Sequence, residues 1–298
     1  MKKIFCTLLW AALCICAAHA SESSQKPALA GQIWDVAAAQ FVGADVLYQR
    51  AAASRYVLLG ERHDSPPHHA GQLAVLQALA ERGVSPALAL EQMDAVHQPA
   101  LSAAQATGVN DPEALADAGH LNRKGWDWPV YKPLVSFAAQ RHWPLLAANL
   151  SRPEARDIAM GKVVPALRAI DVAERTLIEN DIVEGHCGQR PEPQRLNAIV
   201  MAQRARDAQM AKALDSVPGP VALIAGAGHV RADRAVPRYL VEPQRSLVIA
   251  FVEVEDGKLA PGDYDVAGFD LIWFTTATPR PDPCAVPLTG SVATPQPK

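Results

Sequence analysis

Short continuous apolar runs alternate with helical stretches along most of the chain. Tyr56-Val57-Leu58-Leu59 ends at Gly60, and Ala87-Leu88-Ala89-Leu90 follows Pro86 and ends at Glu91. Pro144-Leu145-Leu146-Ala147-Ala148 ends at Asn149, and Val221-Ala222-Leu223-Ile224-Ala225 follows Pro220 and ends at Gly226. Runs from Leu247 to Val252 and from Leu271 to Phe274 come later. Runs of this length without polar alternation suit strands buried on both faces, as in a parallel sheet. Between them, Leu73, Leu76, Leu79 and Ala80 make one helical face, and Val135, Ala138 and Ala139 make another. A long helix is predicted from about Glu192 to Leu214. The alternation predicts an α/β fold, a mainly parallel central sheet flanked by helices and joined by right-handed crossovers. The stretches Asp94–Trp128 and Ala173–Leu214 are long for simple crossovers and are expected to be helical insertions covering the carboxyl edge of the sheet.

That edge is where open α/β sheets bind ligands. Here four predicted strand ends carry polar groups: Gly60-Glu61-Arg62-His63, Glu91-Gln92, Asn149 and Gly226-Ala227-Gly228-His229. Gly-x-x-His thus occurs twice. Glycine permits a sharp turn off a strand, after which the histidine can point back over the edge. Glu61, His63, Glu91 and His229 are therefore expected to form one catalytic or binding cluster. It would suit acid–base chemistry, or a divalent metal held by His63, Glu91 and His229. The alternative for the histidines is structural hydrogen bonding at strand ends.

The N-terminus changes the setting. Lys2 and Lys3, the apolar run Ile4–Cys16 and Ala18-His19-Ala20 read as a secretory signal cleaved before Ser21. The apolar run is shorter than the ~20 residues of a spanning helix. Cys14 and Cys16 follow the bulky Leu13 and Ile15 rather than a small residue, which disfavours a lipid anchor. Export, to the periplasm, is expected, without membrane tethering. Cleavage takes two of the 28 basic residues and none of the 31 acidic ones, so the formal charge of −3 becomes −5. Such a chain has no electrostatic footprint for nucleic acid. Of five cysteines only Cys187 and Cys284 remain. In an oxidising compartment they point to one disulfide, the alternative being two free thiols. Residues 21–278 are expected to form one domain, and 279–298, rich in Pro and Thr, a disordered tail.

The motif Leu58-Leu59-Gly60-Glu61-Arg62-His63-Asp64, the strand ending at Glu91, and Gly226-Ala227-Gly228-His229-Val230 together resemble the ChaN family of haem-binding, iron-regulated bacterial proteins. That family lies in a superfamily with the Tiki and TraB proteins and the erythromycin esterases. Trp128-Pro129-Val130-Tyr131, Pro133, Ala138, Asn149 and Arg206-Asp207-Ala208-Gln209-Met210-Ala211 extend the resemblance, which spans about Val57 to Phe274. Many family members look like lipoproteins, and this leader departs from that. The resemblance implies haem or another small anionic ligand as partner, in iron uptake, with a homodimer left open. It raises Arg206 as a clamp for a ligand carboxylate, Tyr131 as a tyrosinate ligand to ferric iron, and Asn149 and His68 as further ligand contacts. Haem wants mostly apolar walls and one or two axial ligands, so the polar cluster and a haem site need not coincide. A hydrolase using the Glu/His cluster, with or without metal, is the alternative function. No Cys-x-x-Cys-His, His-Glu-x-x-His, Gly-x-Ser-x-Gly or P-loop occurs.

Overall fold

The computed structural model describes residues 28–285. The expected signal segment and the end of the tail lie outside that range. Along the chain the elements are β1 (Ile33–Asp35), β2 (Gln40–Val42), α1 (Ala44–Ala53), β3 (Tyr56–Glu61), α2 (Pro66–Glu81), β4 (Ala87–Asp94), α3 (Gln98–Ala106), α4 (Pro112–Ala118) and α5 (Trp128–Gln140). They continue with β5 (Leu145–Asn149), α6 (Arg152–Ala159), α7 (Val172–Gly185), α8 (Pro193–Asp215), β6 (Val221–Gly226), α9 (Ala227–Val230), β7 (Ser246–Glu253) and β8 (Leu271–Thr275).

All eight strands form one sheet in the order β2-β1-β8-β7-β3-β6-β4-β5. From β8 to β5 every neighbouring pair is parallel, and β1 and β2 join antiparallel at the edge. The six predicted strands are these parallel ones. Their backbones reach one to four residues past the apolar runs, because polar residues such as Glu61 and Asn149 continue the ladder.

Strand alternation divides the core. Val57, Leu59, Leu88, Leu90, Leu145, Ala222, Ile224 and Ile249 pack on one face under α1, α2 and α5. Tyr56, Leu58, Ala89, Leu146, Leu223, Ala225 and Val248 pack on the other, against Met210, Ala211 and Leu214 of α8. Most of these side chains are fully buried, and each Val, Leu or Ile among them contributes roughly 1.5–3 kcal/mol relative to exposure. Helix α2 starts where Pro66 and Pro67 occupy its first turn, positions without need of an N–H partner. Helix α6 starts at a reciprocal Ser151/Glu154 capping box.

The long connections are helical, as expected. The first, through α3 and α4, leads to Trp126 beside His63 and to α5. The second, through α7, leads to α8. Both therefore bring side chains to the carboxyl edge. Residues 279–285 of the expected disordered tail are held on the domain instead. Arg280 makes ion pairs there, and Cys284 is bonded to Cys187. Among the described residues no helix is long and apolar enough to cross a membrane.

Candidate functional site

The register decides which way each strand-end residue faces. Glu61 of β3 lies beside Gly226 of β6, and Leu90 of β4 lies beside Ile224. Continued two residues, that register puts Gln92, not Glu91, in the row of Glu61. Side chains alternate along a strand, so Glu61 points to the α2/α5 face and Glu91 to the α8 face.

On the first face Glu61 is almost fully buried. Its Oε1 accepts hydrogen bonds from the Tyr131 hydroxyl (2.5 Å), His63 Nδ1 (2.9 Å) and Gln92 Nε2 (3.3 Å). Its Oε2 accepts from Gln72 Nε2 (2.7 Å) and lies 3.3 Å from His69 Nδ1. Burial alone would raise the carboxyl pKa. The His63 hydrogen bond and the His69 and His63 charges outweigh it and hold the group well below the ordinary range. The reciprocal effect raises His63, against burial, chiefly through Glu61 and the charge of Glu91. The His63 ring stands edge-on to Trp126, with centroids 4.9 Å apart.

On the second face the buried Asp207 of α8 meets His229 Nδ1 at 2.6 Å. His229 Nε2 then lies 3.7 Å from Glu91 Oε1, while Glu91 Oε2 accepts the Gly226 N–H at 2.7 Å. Burial pulls the imidazole pKa down, but Glu91 and Asp207 shift it up overall. Asn149 donates to the Glu91 carbonyl (3.1 Å) and accepts from Arg206 Nη1 (2.8 Å), which also donates to the Leu150 carbonyl (3.0 Å).

The two glycines join these halves. A Cβ on Gly226 would come within 3.0 Å of His63 Nε2 and 3.7 Å of Glu91 Oε2. A Cβ on Gly60 would collide with Val230 at 2.4 Å and approach the Ala227 backbone at 3.1 Å. Each Gly-x-x-His glycine thus makes room for the other motif. Neither has a positive φ among the described glycines, so close approach, not the expected sharp turn, is what requires glycine here.

The expected four-residue cluster is therefore two carboxylate–imidazole units, Glu61–His63 and Asp207–His229, meeting at Gly226 with Glu91 beside it. Asn149 and Arg206 join it through Glu91. The expected metal triad of His63, Glu91 and His229 is not assembled. Among the described residues no group of three or more His, Cys, Asp or Glu side chains could hold a metal ion.

Two expected ligand contacts lie buried. Tyr131 is fully buried, and burial together with the Glu61 charge pushes its pKa far up, which keeps the hydroxyl protonated on Glu61. Its hydroxyl positions Glu61. His68 is buried as well. Its Nδ1 accepts the Arg62 N–H at 2.9 Å, and burial lowers its pKa to about 4. It braces the turn after β3.

Asp207 and Gln72 were not anticipated in the site. The signal for Asp207 is its spacing: Val200, Arg204, Asp207, Ala211 and Leu214 form one buried stripe of α8, so Asp207 stands among core positions rather than on the solvent face.

A family model described as haem-binding uptake, Tiki superfamily, ChaN matches residues 47–240. The structure is similar to that described as cofacial heme binding to ChaN of Campylobacter jejuni, with a TM-score of 0.70 and 21% identity, covering 81% of this chain and 95% of that one. The type III effector HopBA1 matches with a TM-score of 0.46 and 14% identity, over 78% of this chain and 93% of that one. An erythromycin esterase in its open conformation matches with a TM-score of 0.40 and 14% identity, over 72% and 76%. None of the curated proteins compared with the sequence matches it.

Proposed function

Because this chain belongs to the haem-binding uptake family of the Tiki superfamily typified by ChaN, we propose that it is an exported protein that binds haem in iron acquisition. The family match across residues 47–240 carries the reading. The donor chemistry of the strand-end site fits such a ligand. His63 is anchored at Nδ1 by Glu61, so its Nε2 is the nitrogen that would hold the haem iron. The Trp126 ring flanks it. Arg206 uses one guanidinium nitrogen on Asn149 and Leu150 and retains N–H groups for a propionate. Haem iron, once bound, would supply redox and ligand-exchange chemistry; the protein's part is to bind and orient it. The Lys-rich, apolar leader expected at residues 1–20 supports export, and the periplasm is the proposed destination.

Titration of the mature protein with hemin tests this. A saturable Soret shift that His63→Ala weakens at least tenfold is expected. Binding no tighter than to an unrelated acidic protein would refute the haem reading. Mass spectrometry of the exported form should begin at Ser21.

One observation favours a second reading, a hydrolase. Two imidazoles oriented by carboxylates, with a third carboxylate 3.7 Å from His229 Nε2, form an acid–base arrangement that haem binding does not require. Turnover of ester substrates lost in both His63→Ala and His229→Ala would support it.

A further inference from the structure

After β8 the chain turns back along the carboxyl edge of the sheet. The Thr278 N–H donates to Glu253 Oε1 (3.1 Å) at the end of β7, and its hydroxyl lies 3.4 Å from that of Ser65, just past β3. Arg280 then forks. Its Nη1 and Nη2 donate to the Glu253 carboxylate at 2.5 and 2.9 Å, and its Nε to Asp64 at 3.0 Å. Asp64 is the residue after His63. Four residues beyond Arg280, Cys284 is bonded to Cys187, in the turn between α7 and α8. These anchors follow the strand order β8, β7, β3 and finish on the insertion whose second helix carries Asp207. Residues 276–285 form a strap along the edge, tied to Asp64 and Ser65 just past His63.

Besides the disulfide, the strap is held by Thr278 on Glu253 and by Arg280 on Glu253 and Asp64. Only Thr278 and Arg280 are partly buried, and the remaining residues, Cys284 included, are exposed. The Arg280–Asp64 pair, with Asp64 46% exposed, stabilises weakly. Cys187 is exposed as well, so the bond is open to attack by a thiolate from solvent. The sheet core shares no residue with it, so cutting the bond leaves the core contacts in place.

We propose that the Cys187–Cys284 disulfide is a redox latch on access to the His63/His229 cluster. A dithiol reductant supplies two electrons and two protons. The S–S bond breaks, each Sγ takes a proton, and the reductant leaves as its own disulfide. The freed strap releases Asp64 and uncovers the His63 side of the site. This holds whichever ligand the cluster takes, so it stands or falls apart from the haem reading.

The test is the rate at which diethyl pyrocarbonate modifies His63, read by peptide mass spectrometry on the mature protein. Disulfide-bonded protein is compared with protein that has been reduced, thiol-blocked and freed of reductant, and with the double variant Cys187→Ser/Cys284→Ser. The exposed His120 and His142 serve as internal references. A several-fold faster reaction at His63 with the references unchanged is expected in both open forms. Disulfide-bonded Arg280→Gln should fall between. Equal His63 rates in closed and open forms overturn the latch, and so does a parallel rise at all histidines, which would mean general loosening.

Discussion

Asp207 and His229, 22 positions apart on two different elements, meet at 2.6 Å between Oδ1 and Nδ1, and both are buried or nearly so. Asp207→Asn keeps a side chain of the same shape and removes its charge. The His229 pKa, held up by Glu91 and Asp207 against burial, should then fall, as an NMR titration of the ring would show. Any acid–base turnover should drop by roughly 10²-fold or more. An unchanged His229 titration would mean that Asp207 does not govern this ring.

The glycine pair makes a graded prediction. Gly60→Ala drives a methyl into Val230 and close to the Ala227 backbone, so it should destabilise the domain by about 1–3 kcal/mol in urea unfolding. Gly226→Ala first meets the His63 ring, at 3.0 Å, and then the Glu91 carboxylate, at 3.7 Å. It should perturb the His63 titration and hemin affinity more than stability. The reverse order would disprove the junction between the two halves.

Tyr131→Phe separates two roles. If the hydroxyl positions Glu61, its loss should cost about 1–3 kcal/mol and raise the Glu61 pKa, while the Soret spectrum of the hemin complex stays. Loss of that spectrum with the fold intact would restore Tyr131 as an iron ligand.

Stability should have two pH limbs. Unfolded His68 titrates near its ordinary 6.5 and the buried ring near about 4, so the unfolded chain binds the extra proton between those values. Stability falls as pH drops through that window, by up to about 3 kcal/mol. His63 is shifted the other way, to about 9. Its contribution is complete below 6.5 and is lost as pH rises towards 9. His68→Asn, which keeps an acceptor for the Arg62 N–H, should flatten the acid limb alone in denaturant titrations. An unaltered acid slope would exclude His68 as its source.

The parallel strands were legible because continuous apolar runs such as Val221–Ala225 have few other uses. The β1–β2 edge was not: Ile33–Asp35 and Gln40–Val42 are three residues each and only partly buried, too short for a pattern to build up. Strand ends announced Glu61 and Glu91, but their opposite orientations depend on register, and register is fixed by pairing with β6 rather than by either strand alone. Asp207 next to Arg206 reads locally as a solvated ion pair. The packing of α8 on the sheet buries it.

The place of β3 bears on how the chain assembles. Both its neighbours, β6 and β7, come from beyond residue 220, whereas β4 and β5 can pair as soon as both exist. During synthesis the central strand has no partner until Val221 has emerged. Such long-range wiring slows folding. The N-terminal half alone lacks the strands that would complete its sheet.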